Sequence, residues 1–558
     1  MNRSFLVLLA VLFASCTAPV EYDVIVRNGT IYDGLGGDPY VGDVAIQGDS
    51  IAAVGALGDA IGRAEVDATG LAVAPGFINM LSWATTTLIE DGRSESDIRQ
   101  GVTLEVFGEG WSYGPLNEDM RSELIDGQSH IRFDVPWTTL DQYLEHLVER
   151  GVSPNVASFI GAGTVRIHEL GYEDREPNAE ELERMKELVR QAMEDGALGV
   201  GSSLIYAPDT YASTEELIAL AKVAAEYDGL YISHIRSEGN RFLEALDELI
   251  RIASEAGIRA EIYHLKAAGS ENWNKLEAAI ERIEAARDSG LAITADVYAY
   301  TAGATGLDAA MPPWVQEGGF GPWRERLMDQ AIRRKVISEM RTRTDEWENL
   351  MMAAGPAGVK LVGFRKYEHQ DLIGKTLAEL SEERGVSPED VAVDLVIADS
   401  SRVESVYFVM SEENVRRKIA LPWVAFDSDA ESAGQGGVFT NWNPHPRAYG
   451  NFARLLGKYV REEQIIPLKE AIRRLTSFPA ENLRIQRRGS LRAGNFADIV
   501  IFDPNTIIDH ATYDEPRQYA TGMHHVFVNG EQVLRDGEHT GALPGRVVRG
   551  PGHATPDF

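Results

Sequence analysis

The sequence predicts a (β/α)8, TIM-like barrel with a small β-sandwich domain built from both chain ends. Three observations predict it. Through the middle of the chain, eight short apolar runs alternate with helical stretches. Both ends instead show period-two alternation broken by Asn-Gly and Gly-Asp turns. The chain has 558 residues, 44% of them hydrophobic, which suits a large barrel with an accessory unit rather than one small domain.

At the N-terminus, Arg3 precedes an apolar run over 5–14 that is too short to span a bilayer and reads as a secretory signal. Cys16 follows Phe13-Ala14-Ser15, and segment 1–16 resembles a bacterial lipoprotein processing site. The expectation is an exported protein, periplasmic or membrane-anchored through a lipid on Cys16. Cys16 is the only cysteine, so the mature chain has no internal disulfide and no thiolate ligand. The formal net charge of −33 argues against nucleic acid as a partner.

Residues 22–74 read as short strands, over 22–29, 43–49 and 51–55. The same style returns in 480–550, where 497–503 and 525–533 supply the strands that complete the sandwich. The region 75–479 is the barrel. Its strands are expected to begin near Val73, Val102, Val156, Leu198, Leu230, Ala260, Ile293 and Trp423, with helices such as 178–195, 214–227 and 272–289 between them. The stretch of about 301–420 is too long for one crossover. It reads as an insertion of helices and aromatic-rich loops that caps the barrel mouth.

Active sites in such barrels lie at the C-terminal ends of the strands. Strand one ends at Leu81-Ser82-Trp83 and strand two at Glu109. Strands five and six end in His234 and His264, the latter followed by Lys266; strand eight ends in Asp427 and Asp429. Two imidazoles and a carboxylate suit one Zn²⁺ with an open position, so His234, His264 and Glu109 are the candidate ligands. Asp429 is the candidate for accepting the proton of the attacking water, with Asp427 as the alternative. His445, in Asn443-Pro-His-Pro-Arg447, is a candidate for the lip of the site.

These residues and their frames resemble the amidohydrolase superfamily, in particular the D-aminoacylase (N-acyl-D-amino-acid deacylase) branch. The matching pieces are Ala74-Pro-Gly-Phe-Ile, Gln100-Gly-Val-Thr, Gly199-Val-Gly-Ser-Ser, Ser233-His-Ile-Arg-Ser-Glu, His264-Leu-Lys, Asp296-Val-Tyr-Ala-Tyr-Thr-Ala-Gly, Ser428-Asp429, His445-Pro-Arg-Ala-Tyr-Gly and Ala497-Asp-Ile-Val-Ile-Phe-Asp. The resemblance implies that His234 and His264 hold the tightly bound zinc and that Asp429 is the catalytic acid–base. It also implies that Lys266, Tyr298 and Tyr300 approach the carboxylate of a small N-acyl amino acid or peptide-like substrate, with Arg447 as a further cation.

The sequence departs from that pattern twice. The family's strand-one His-x-His is replaced by Leu81 and Trp83, neither of which offers a donor to a metal. The family's strand-two cysteine, in Gly-Asn-Cys-Gly, falls at Gly110, one residue from Glu109. A mononuclear hydrolase of a linear amide is therefore the leading reading. A ligand-binding pseudoenzyme and a cyclic-amide hydrolase are the alternatives. The second of these usually employs a carboxylated lysine on strand four, which 198–204 lacks.

Overall fold

The computed structural model describes residues 20–554. Eight parallel strands form the barrel: Phe77–Asn79, Val102–Phe107, Asn155–Ser158, Gly199–Ser203, Leu230–His234, Arg259–Ile262, Ile293–Val297 and Val424–Phe426. Leu198 N–H donates to Ser158 O, carrying strand three to strand four. The ring closes where Met80 N–H reaches Phe426 O and Asp429 N–H reaches Leu81 O. All eight strands are buried along nearly their whole length, as strands covered on both faces must be.

Strand one starts later than the sequence suggests. Ala72–Pro75 pairs with strands from both ends of the chain, and only after Gly76 does the backbone enter the barrel at Phe77. Gly76 is required there, because a Cβ would lie 2.1 Å from Thr103 Oγ1. The nine-stranded sheet combines Glu21–Ile31, Tyr40–Gln47, Ser50–Gly55, Ile61–Asp67 and Ala72–Pro75 with Ile499–Phe502, Met523–Val528, Glu531–Arg535 and Glu538–His539. It closes over its own core of Val26, Val44, Ile46, Val73, Ile499, Ile501 and Phe527, which joins the segments before and after the barrel.

Two of the helices between the strands begin where side chains satisfy free backbone N–H groups. Asn178 and Glu181 form a capping box at the start of Ala179–Asp195, and Ser213 caps Thr214–Glu226. The insertion holds more than helices. Gly303–Gly306, Val359–Gly363 and Glu404–Tyr407 form an antiparallel three-stranded sheet, which leans on a separate apolar core around Leu327, Val336, Leu361, Val391 and Tyr407. No helix among the described residues is long and apolar enough to cross a membrane. Segment 1–16, with Cys16, lies outside the described residues.

The barrel interior is not wholly apolar. Glu261, Asp296 and Asp427 are fully buried and face one another from strands six, seven and eight. Burial, reinforced by Asp427, pushes Glu261 from 4.5 up to about 7. The folded chain therefore holds this proton more tightly than the unfolded chain. The resulting stability is complete below about pH 4.5 and is lost as pH rises towards 7. Melting temperatures of the wild type should fall across that window. Glu261→Gln, which cannot ionise, should make the dependence shallower, with Asp427, Glu348 and Glu431, also pushed up to about 7, keeping the rest of it.

Candidate metal centre and active site

Glu109 reaches the site because of its neighbours. Gly108 and Gly110 adopt φ of +109° and +70°, and a Cβ on Gly110 would lie 2.5 Å from Ser203 Cβ. No side chain fits at Gly110, and Glu109, one residue earlier, offers the carboxylate that follows strand two. Its Oε1 lies 3.0 Å from His234 Nδ1 and 2.9 Å from His264 Nε2. One donor atom from each of the three residues falls within 4.8 Å of the others, and all three residues are buried.

Glu238, not among the residues singled out from the sequence, completes the cluster. It stands four residues after His234, the signal by which sequence could have found it. Its Oε1 accepts from Lys266 Nζ at 2.6 Å and lies 3.1 Å from His264 Nδ1. Lys266 Nζ also lies 2.7 Å from His264 Nδ1. With Nδ1 turned to Glu238 and Lys266, His264 presents Nε2 to the centre, an orienting contact typical of metal-bound histidines.

Burial alone would raise both carboxyls. The two histidines instead hold Glu109 well below the usual carboxylate range, and Lys266 with the histidines does the same to Glu238. Burial and the Lys266 charge oppose a proton on His264, but Glu109 and Glu238 outweigh them and push it up to about 10. So many buried charges are costly for stability, which points to a functional reason for keeping them.

The donor set fits a divalent ion such as zinc: two imidazoles and one carboxylate at or just past the ends of three barrel strands. His234 Nε2 is buried without a hydrogen-bond partner and lies 3.6 Å from Glu238 Oε2, while Nδ1 faces Glu109. Among the described residues this is the one group of three or more such side chains that could hold a metal ion.

Asp429 lies across the mouth. Its Oδ2 is 2.8 Å from Arg447 Nη1 and its Oδ1 accepts from Trp83 Nε1 at 3.1 Å. Burial raises this carboxyl while Arg447 and His264 oppose the rise. Both Asp429 and His264 sit in the left-handed region, with φ of 45° and 36°, unusual strain of the kind that gathers at functional sites. Trp83 lines the cavity and its ring N–H holds the aspartate. Leu81 packs with Ile78, Met80, Ile232 and Tyr263 in the barrel core.

A cavity of about 570 Å³ opens above these groups. Glu109, His234, His264, Lys266, Tyr298, Asp429, His445 and Arg447 all line it. Tyr298 Oη and Arg447 Nε are buried without hydrogen-bond partners, and the guanidinium lies 4.4 Å from the Tyr298 ring centre. Two sequence expectations change. Tyr300 is absent from the cavity wall; its hydroxyl donates to Asp509 and its ring lies under Arg454. His445 spends both nitrogens on backbone, with Nε2 at Ala302 O and Nδ1 accepting from Arg447 N–H, so it fixes Arg447 and has no free nitrogen for a ligand.

A barrel of this build with two histidines and an acid at its mouth defines a metal-dependent hydrolase. A family profile described as Amidohydrolase family matches residues 64–534. A D-aminoacylase of Alcaligenes xylosoxydans xylosoxydans is 32% identical over 94% of this chain and 97% of its own length. The N-acyl-D-glutamate deacylase of Bordetella bronchiseptica, solved with zinc and a phosphonate mimic of the tetrahedral intermediate, superposes with a TM-score of 0.79. It is 28% identical and covers 95% of this chain and 100% of its own. A D-aminoacylase structure addressing its binuclear metal centre, with one-metal activation and second-metal attenuation, gives a TM-score of 0.78 at 31% identity over the same shares. The chain belongs to the amidohydrolase family, in the branch of the D-aminoacylases and N-acyl-D-amino-acid deacylases.

Proposed function

We infer that this protein hydrolyses the amide bond of N-acyl-D-amino acids, or closely related peptide-like compounds, with one divalent ion, Zn²⁺ by its donor set. The observation that carries the reading is the convergence of Glu109, His234 and His264 beneath Asp429. When bound, the ion would make water nucleophilic near neutral pH and polarise the amide carbonyl. Asp429 takes the proton of the attacking water and delivers it to the departing nitrogen, a transfer its place over the three ligands suits. Arg447 and the Trp83 N–H keep its two oxygens aimed. The substrate carboxylate would satisfy Tyr298 Oη and Arg447 Nε, with Lys266 adding charge at the same end.

Strand one supports the one-ion stoichiometry. Trp83 occupies Asp429 Oδ1 with an N–H, and Leu81 is sealed in the core, so neither offers a lone pair to a second ion. The double variant Leu81→His with Trp83→His should gain a second bound ion by elemental analysis. Trp83→Phe should keep one ion but lose roughly tenfold or more in kcat, the cost of a hydrogen bond to a charged group. The reading as a whole is tested by assaying N-acetyl-D- and N-acetyl-L-amino acids with the metal-loaded protein. Turnover of D-substrates that disappears on chelation supports it; turnover in fully metal-stripped protein contradicts it. Export, with lipidation at Cys16, belongs to the same proposal and rests on segment 1–16; labelling with a radioactive fatty acid in the host tests it.

A further inference from the structure

We propose that this site takes N-acyl-D-amino acids with uncharged, aromatic or cationic side chains and discriminates against acidic ones, a preference set by the Arg402–Asp308 pair. The inference rests on the hydrolase reading above and concerns which substrates that site admits.

Recognition of a second carboxylate needs a cation free to receive it. Three lysines and arginines line the cavity: Lys266, Arg402 and Arg447. Lys266 and Arg447 belong to the end that takes the α-carboxylate. Arg402 alone remains, and acidic neighbours offset its charge on the wall that would face a side-chain carboxylate. Its Nε lies 2.9 Å from Asp308 Oδ1, its Nη2 donates to Thr305 Oγ1 at 3.1 Å, and Glu404 follows two residues later on the same wall.

The rest of the lining points the same way. Seven carboxyl groups face the cavity, so they outnumber the three cations even with a divalent ion held at its floor. A side-chain carboxylate would be stripped of water to enter a space already rich in like charge. What the outer wall offers instead is aromatic surface. Trp111 packs on Tyr172 and Phe320 on Trp323, with ring centres 6.5 and 5.4 Å apart. Tyr206 bridges inward, its ring 5.4 Å from that of His234 and 5.5 Å from the Arg402 guanidinium. Such faces receive apolar rings and cations alike.

The decisive comparison is between N-acetyl-D-glutamine and N-acetyl-D-glutamate, which share shape and differ in charge. The expected result is a kcat/KM for the glutamine compound at least about tenfold higher. Asp308→Asn, which frees Arg402, should narrow that ratio about tenfold. Glu404→Gln, at an exposed position, should move it the same way if the buried Asp308 variant does not fold. Equal or greater kcat/KM for the glutamate compound in the wild type overturns the inference. A ratio unmoved by either variant overturns its assignment to Arg402 and Asp308. If no N-acetyl-D-amino acid is turned over, the hydrolase reading fails, and calorimetric binding of the glutamine and glutamate compounds still reads the preference: tighter binding of the glutamate compound overturns it.

Discussion

Asp429→Asn is expected to lower kcat by about 10² to 10⁴-fold, the usual share of a positioned acid–base group, while leaving the bound metal in place. The amide keeps the size of the side chain and can still accept from Trp83 Nε1 at Oδ1. It cannot take a proton from water or return one to the leaving nitrogen. Asp427, two residues earlier, cannot substitute: it is fully buried within the barrel among Glu261 and Asp296, and burial with the Asp429 charge pushes it up to about 7. Single-turnover kinetics alongside elemental analysis separates the two roles. Loss of turnover together with loss of metal would make Asp429 a ligand rather than the proton carrier.

Glu109→Ala should remove the metal and activity together. Among the described residues, Glu109 is the carboxylate that faces both His234 Nδ1 and His264 Nε2, at 3.0 and 2.9 Å. Its removal should cost more affinity than the roughly 10- to 100-fold typical of a group that merely orients a ligand, which is the loss expected for Glu238→Gln. Metal binding should also be strongly pH-dependent. Without metal, the carboxylates push His264 up to about 10, so it carries a proton at neutral pH. A ligand must be neutral, so binding expels that proton and affinity falls as pH is lowered. Titration of metal-stripped protein with zinc in two buffers of different ionisation enthalpy measures the protons released. Binding without proton release would place the ion away from His264.

Much of this was legible in the sequence because it depends on local pattern. Apolar runs ending in His234, His264 and Asp429 placed these residues on strand ends, and a closed parallel barrel brings all strand ends to one face. Glu109 was readable as a candidate, but the reason it works was not. The steric exclusion at Gly110 comes from Ser203 and Asp209, a strand away in space and some 90 residues along the chain. Tyr300 shows the opposite failure. It shares alternation with Tyr298, so period two alone puts both on one face, but the chain leaves the strand at Val297 and the two hydroxyls diverge. Trp83 reads as a loss when only metal donors are counted. Its role as a hydrogen-bond donor to Asp429 depends on strands one and eight meeting at the barrel seam.

The central claim, one ion held by Glu109, His234 and His264, is tested most directly by anomalous diffraction from crystals grown with zinc. The account predicts a single peak per chain in contact with Glu109, His234 Nδ1 and His264 Nε2. Two peaks, or a peak away from these atoms, would contradict it.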